Sequence, residues 1–311
     1  MKNFLLELIN VSELAAISSS KWIGKNDTIS ADKAAVEAMR DSLNKIDFKA
    51  KIVIGEGERD EAPMLHIGEV VGRDHGKIKY DIAVDPLECT NRCARNDGSS
   101  MTAIVISEVG MLLPAPDVYM NKIAAAVGDI NLDATIKENL EAVSRAKGVE
   151  ISELTVSILD RDRHIEIINE VLSNGAKIKF ISDGDIAGAI MSCIAGSGVD
   201  MYLGVGGAPE GVIAAVAISM MGGKMEGRLI FKNKSQKKRA QSMFDRDVDS
   251  KLSVKDMTEI SGYKGELAFI MTGVTPGELL GGVNDCMTDS ICIYRDEKGK
   301  VYNRQILTNR C

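Results

Sequence analysis

Apolar residues recur at helical spacing over residues 3–19 (Leu5, Leu6, Ile9, Leu14, Ala15), which predicts an amphipathic helix whose task is packing. The stretch 21–27 breaks that pattern. Ser30-Ala31-Asp32 then opens a second helix through Ala35, Val36, Met39 and Leu43, with Asp32 in the first turn, where a negative charge suits the helix dipole. Short apolar runs rich in β-branched residues follow at 51–54, 82–84 and 100–108 and read as buried strands. The first exits into Gly55-Glu56-Gly57-Glu58, the second into Asp85-Pro86-Leu87-Glu88-Cys89-Thr90. Pro86 has no N–H to give a ladder, so the chain is expected to leave the sheet there.

From about residue 136 the texture changes to an alternation of helix and strand. Helices are predicted at 136–146, 164–172, 185–194 and 209–220, and strands at 155–159, 177–181 and 201–205. A basic-then-acidic helix over 235–244 follows, then strands at 267–272, 290–294 and 301–307, the last two joined as a hairpin through 295–299. The polar stretch 128–133 is the expected boundary between an α+β first domain, 1–130, and an α/β second domain, 131–311.

With 311 residues, 45% of them hydrophobic, the chain can bury two cores. A net charge of −7 leaves no basic surplus for nucleic acid or an anionic membrane, so any phosphate must be met locally by metal ions, a few arginines or lysines, and helix N-termini. No apolar run reaches membrane-span length, and the acidic, short N-terminal stretch is unlike a signal peptide, which makes the cytoplasm the expected compartment. Six dispersed cysteines without a Cys-x-x-Cys pair suit free thiols, and three scattered histidines do not suit a His-based metal centre. A metal here would be hard and oxygen-bound.

Carboxylates crowded at a strand exit repel one another and need a cation or a proton between them. Asp85 with Glu88 taken alone reads equally as a solvated Asp-Pro turn. A second exit with Glu56 and Glu58, plus Asp32, makes a shared divalent-cation site the better reading. In the second half, Arg161-Asp162-Arg163 places two guanidinium groups at a helix start, suited to an anion. Asp183-Gly184-Asp185 can cap the next helix or bond sugar hydroxyls. The glycine-rich loop 204–211 carries Glu210 at its tip, a candidate last metal ligand.

Ala31-Asp32, Val53 to Glu58, Asp81 to Pro86 with Glu88 and Thr90, Pro114 to Met120, Asp183-Gly184-Asp185 and Gly206 to Gly211 together resemble the class II fructose-1,6-bisphosphatases, of the metal-dependent sugar and inositol phosphatase superfamily. The resemblance implies an α/β fold of five layers, α-β-α-β-α, in two domains. It implies that Asp32, Glu56, Asp85, Glu88 and Glu210 hold Mg²⁺ or Mn²⁺, with Glu58 and Asp60 close by as catalytic carboxylates, and that Thr90 orients the attacking water. The substrate would meet Glu88, Cys89, Thr90, Tyr119, Arg161, Asp162, Arg163, Asp183, Gly184, Asp185 and Gly207. The implied reaction is hydrolysis of the 1-phosphate of fructose 1,6-bisphosphate in gluconeogenesis, with sedoheptulose 1,7-bisphosphate as a second substrate, by a homo-oligomer (dimer or tetramer). The rivals are an inositol-type monophosphatase, which needs no second anion clamp, and a catalytically weak metabolite-binding regulatory protein. The second rival is motivated by departures from the family pattern: Cys89 where the turn usually has glycine, Thr28 where a lysine is frequent, and Lys33 in place of a small residue.

Overall fold

The computed structural model describes residues 1–57, 64–243, 246–260, 262, 264–285 and 287–309. The first part of the chain forms α1 (Leu5–Ser20), α2 (Thr28–Leu43), β1 (Ala50–Ile54), β2 (Val70–Val71), β3 (Tyr80–Glu88), α3 (Thr90–Arg95) and β4 (Met101–Glu108). The middle forms β5 (Tyr119–Ala125), α4 (Ile136–Lys147), β6 (Thr155–Leu159), α5 (Ile165–Ser173), β7 (Lys177–Ile181), α6 (Asp185–Met191), β8 (Met201–Gly207), α7 (Ala208–Met221), β9 (Lys224–Ile230), α8 (Lys234–Met243), β10 (Leu252–Ser253) and α9 (Val254–Thr258). The chain closes with β11 (Leu267–Gly273), β12 (Met287–Arg295) and β13 (Val301–Asn309). Mixed α/β architecture is as expected.

Two compact units result, and their limits correct the expected division at residue 130. One unit joins Met1–Leu112 to Glu259–Cys311, and the other is Leu113–Thr258. The closing strands return to the first sheet because β11 pairs antiparallel with β4 along its whole length, from Leu267 opposite Ser107 to Gly273 opposite Met101. In turn β5, which local pattern did not reveal as a strand, pairs with both β8 and β9 and so belongs to the second sheet. A break in texture along the chain is not a break in pairing.

In the first unit the sheet order is β13-β12-β11-β4-β3-β1-β2, with only β1 and β3 parallel. Helices α1 and α2 pack together on this sheet, burying Leu8, Val11, Ala15 and Met39 against Ile52, Ile82, Ile104 and Ile270. Leu6, expected on the apolar stripe, is 79% exposed. Ser12 and Glu13 are buried in its stead, because the sheet face beneath α1 carries hydroxyls. Ser12 Oγ meets Thr102 Oγ1 at 2.5 Å and Thr272 Oγ1 at 2.8 Å, Thr272 meets Ser290 at 2.9 Å, and the Thr288 hydroxyl donates to Glu13 at 2.9 Å. Buried polar groups tolerate a core only when partnered, so this row fixes how α1 seats across three strands.

In the second unit the order is β10-β9-β5-β8-β6-β7. Leu140 and Val143 of α4 and Val171 of α5 close a core over Ile123, Val156, Ile158 and Met201. Helix α7 carries no polar stripe and is buried nearly all round, in contact with α6, α9 and strands β5, β8 and β9. Gly207 precedes it as N-cap and Pro209 stands in its first turn, where a missing N–H costs nothing. Among the described residues no helix is long and apolar enough to cross a membrane.

Candidate active site

The acidic exits of the first unit lie at one end of its β1–β3 pair. The parallel register sets Ile54 beside Ala83, so Glu56 and Asp85 each follow by two residues at the same edge. Gly55 is required there: a Cβ would stand 2.0 Å from the Leu65 carbonyl oxygen, which also accepts from the Glu56 N–H at 3.1 Å. Asp32 reaches this edge from α2. That helix begins at Thr28, capped by Asp27 on the Ser30 N–H at 2.9 Å, so Asp32 stands in the second turn and not the first. Burial holds its carboxyl above the usual carboxylate range. Glu56 is pushed further, to about 7, by burial and then by the negative charge of Asp32. The charge of one predicted acid therefore acts on another from a separate motif, and it favours the protonated form of Glu56.

Strand β3 does not end at Pro86, as the missing N–H suggested. Asp85 pairs with Ala103 and Glu88 with Met101, so a bulge absorbs Pro86-Leu87 and the strand resumes. Glu88 is buried. Cys89 follows as N-cap of α3 in left-handed backbone, φ 66° and ψ 45°, the conformation that glycine adopts without strain. The Thr90 hydroxyl donates to the Leu87 carbonyl at 2.8 Å, which leaves its oxygen oriented to accept a hydrogen bond from water. Lys33 points away to Glu37, 3.8 Å off on the exposed face of α2. Glu58 and Asp60 lie outside the described residues. Among the described residues no group of three or more His, Cys, Asp or Glu side chains is gathered tightly enough to hold a metal ion as it stands.

The second unit gathers the remaining candidates at the exits of β6, β7 and β8. His164 staples two of them: Val205 N–H donates to its Nε2 at 2.8 Å, so the proton is on Nδ1, which faces the Leu159 carbonyl at 2.7 Å. Beside it the Arg163 Nε donates to the Val205 carbonyl at 2.9 Å, and its guanidinium lies 5.3 Å from the centre of the Tyr119 ring. Arg161 pairs with Asp183 at 3.4 Å, not with its neighbours Asp160 or Asp162, and Asp162 is exposed. Gly184, φ 99°, turns the chain into α6.

Asp185 is buried, and its two oxygens are taken by the Lys122 ammonium and the Tyr202 hydroxyl. Lys122, 1% exposed on β5, also donates to the Gly207 carbonyl at 2.8 Å. Neither partner was legible: a lysine in Tyr119-Met-Asn-Lys122-Ile-Ala looks like one solvated face of an edge strand. Gly206 and Gly207 make room for carboxylates, since a Cβ would stand 1.7 Å from Asp185 Oδ2 at the first and 1.8 Å from Glu210 Oε2 at the second. The Glu210 Oε2 is enclosed without a hydrogen-bond partner. Burial raises its pKa, opposed by the charge of Lys122 and helped by Asp185 and Asp117.

A profile of the family described as "Bacterial fructose-1,6-bisphosphatase, glpX-encoded" matches residues 2–303. The chain belongs to this family. It is 40% identical over 301 residues to the D-fructose 1,6-bisphosphatase class 2/sedoheptulose 1,7-bisphosphatase of Synechococcus sp. (strain JA-3-3Ab), covering 89% of this chain and 86% of that one. The protein of the same name from Trichodesmium erythraeum (strain IMS101) is 41% identical over 320 residues, covering 94% and 92%. Among solved structures, the extragenic suppressor protein suhB of Bartonella henselae is a remote likeness, TM-score 0.35 and 14% identity over 60% of this chain and 72% of that one. For a glpX-type bisphosphatase the residue types suit a hard divalent cation in each unit taken by itself: in the first, Asp32 and Glu56 are carboxylates with raised pKa, and in the second Glu210 has an enclosed oxygen without a hydrogen-bond partner.

Proposed function

We propose that this chain hydrolyses the 1-phosphate of fructose 1,6-bisphosphate to give fructose 6-phosphate and phosphate, and accepts sedoheptulose 1,7-bisphosphate. The observation that carries the reading is the effect of the Asp32 charge on Glu56, two acids from different motifs that are both partly removed from water. Asp32, Glu56, Asp85, Glu88 and Glu210 are each assigned as donors to Mg²⁺ or Mn²⁺. Such an ion, when bound, neutralises charge on the ester and lowers the pKa of water. The chain's own groups do the rest. The Thr90 oxygen, its proton committed to Leu87, accepts a hydrogen bond from the attacking water and fixes its direction. Arg161 and Arg163, supported by Tyr119 and the 183–185 turn, receive the distal phosphate and so hold the substrate by one end. Glu58 and Asp60 keep their assignment as catalytic carboxylates.

Phosphate release is the test, measured with fructose 1,6-bisphosphate, sedoheptulose 1,7-bisphosphate, fructose 6-phosphate and inositol 1-phosphate, with Mg²⁺, with Mn²⁺ and with chelator. Metal-dependent cleavage selective for the bisphosphates is the expected result. Equal cleavage of inositol phosphate, or turnover that survives chelation, would overturn it.

A further inference from the structure

Tyr119 opens β5, and the antiparallel register sets Gly207 of β8 opposite it on one side and Ile230 of β9 on the other. Lys232 follows Ile230 by two residues, and its ammonium lies 4.7 Å from the centre of the Tyr119 ring. Arg163 reaches the same ring from the exit of β6, at 5.3 Å. Three strand ends thus deliver two cations to one partly exposed aromatic ring. Each is drawn there by the ring quadrupole, yet like charges brought to one ring repel each other. Among the described residues no carboxylate forms an ion pair with either side chain, although acidic side chains outnumber basic ones in the chain, 45 to 38. A dianion bound by both converts the repulsion into charge-assisted hydrogen bonds.

We propose that Lys232 is a ligand of the distal phosphate, acting with Arg163 and Tyr119, and that it sets the preference for sugars phosphorylated at both ends. The inference rests on the bisphosphatase reading above. The two cations divide the work by their chemistry. Arg163 is tied through Nε to the Val205 carbonyl at 2.9 Å, so its remaining N–H groups present a fixed edge. Lys232 brings a point charge on a flexible stem, which can follow a phosphate whose position shifts with the length of the sugar.

The experiment compares wild type with Lys232→Met, which keeps the stem and removes the charge, and with Lys232→Arg. For Lys232→Met the KM for fructose 1,6-bisphosphate should rise about tenfold to a hundredfold, the range of one charge-assisted hydrogen bond. Its kcat should change far less, Lys232→Arg should recover most of the loss, and the KM for fructose 1-phosphate, which lacks the distal group, should barely move. Calorimetric binding of fructose 6-phosphate, which carries only that group, should weaken to the same degree. An unchanged KM for the bisphosphate, or an equal loss with fructose 1-phosphate, would overturn the proposal. Wild type that binds fructose 6-phosphate through Lys232 but releases no phosphate from the bisphosphate would leave this inference standing and remove the activity reading.

Discussion

Replacing Lys122 by methionine isolates the buried polar centre of the second unit. Lys122 is 1% exposed and Asp185 8%, and the ammonium serves both the Asp185 carboxylate and, at 2.8 Å, the Gly207 carbonyl. Methionine keeps the stem volume, so the cavity contribution is small. What remains is a buried carboxylate that still accepts from the Tyr202 hydroxyl, and a carbonyl without its lysine donor. Removing one member of a buried pair costs about 3–5 kcal/mol, a large share of the roughly 5–15 kcal/mol that keeps a domain folded. Asp185→Asn in the same chain removes the stranded charge while leaving Tyr202 an oxygen to donate to. The double variant should therefore recover about 2 kcal/mol or more of the loss. Urea unfolding of wild type, both single variants and the double variant, without divalent ions, gives the coupling directly. A cost below about 1 kcal/mol for Lys122→Met, or single costs that simply add, would show that Lys122 and Asp185 do not form the pair described here.

Glu56 carries a pH prediction. Its folded pKa, about 7, lies above the ordinary 4.5, so the folded protein without metal binds a proton that the unfolded chain releases. Its destabilising effect is full above pH 7 and absent below 4.5, and reaches about 3 kcal/mol. Glu56→Gln should thus be more stable than wild type in chelator at pH 8, with the gap closing toward pH 5; a gap independent of pH refutes the assignment. Cys89 sits at φ 66°, where glycine is favoured, so Cys89→Gly should be more stable than Cys89→Ala by about 1 kcal/mol in thermal unfolding. In right-handed backbone the order would be reversed, and finding that reversal would contradict the turn. Gly207→Ala forces a Cβ to within 1.8 Å of Glu210 Oε2, so the divalent-ion concentration for half-maximal activity should rise about tenfold or more; an unchanged metal titration would separate Glu210 from the metal.

The motifs were legible because each is local. A β-branched run followed by acids and glycines announces a strand exit whatever surrounds it, and the 136–220 alternation announces parallel strands. The Cys89 conformation was legible too, as a side chain standing where the family pattern has glycine. Other features were not. Asp32's place in the helix depended on Asp27 capping one turn earlier, and the bulge at Pro86 depended on β4 continuing past it. Lys122, Tyr202 and Lys232 gave no signal, because nothing near them in sequence is unusual.

By itself the sequence determined which chemistry is present: hard carboxylates at two early exits, arginines at a later one, and no basic surplus. Only the tertiary structure decided which of these groups are spent internally and which remain available. Asp185 is neutralised by a lysine 63 residues away, whereas Glu210 keeps an enclosed oxygen unpartnered. The reason is that strand pairing joins segments by register and not by proximity along the chain. The same rule returns β11 to β4 and brings Lys232 to Tyr119. A charge's role follows from the neighbours that such pairing assigns to it.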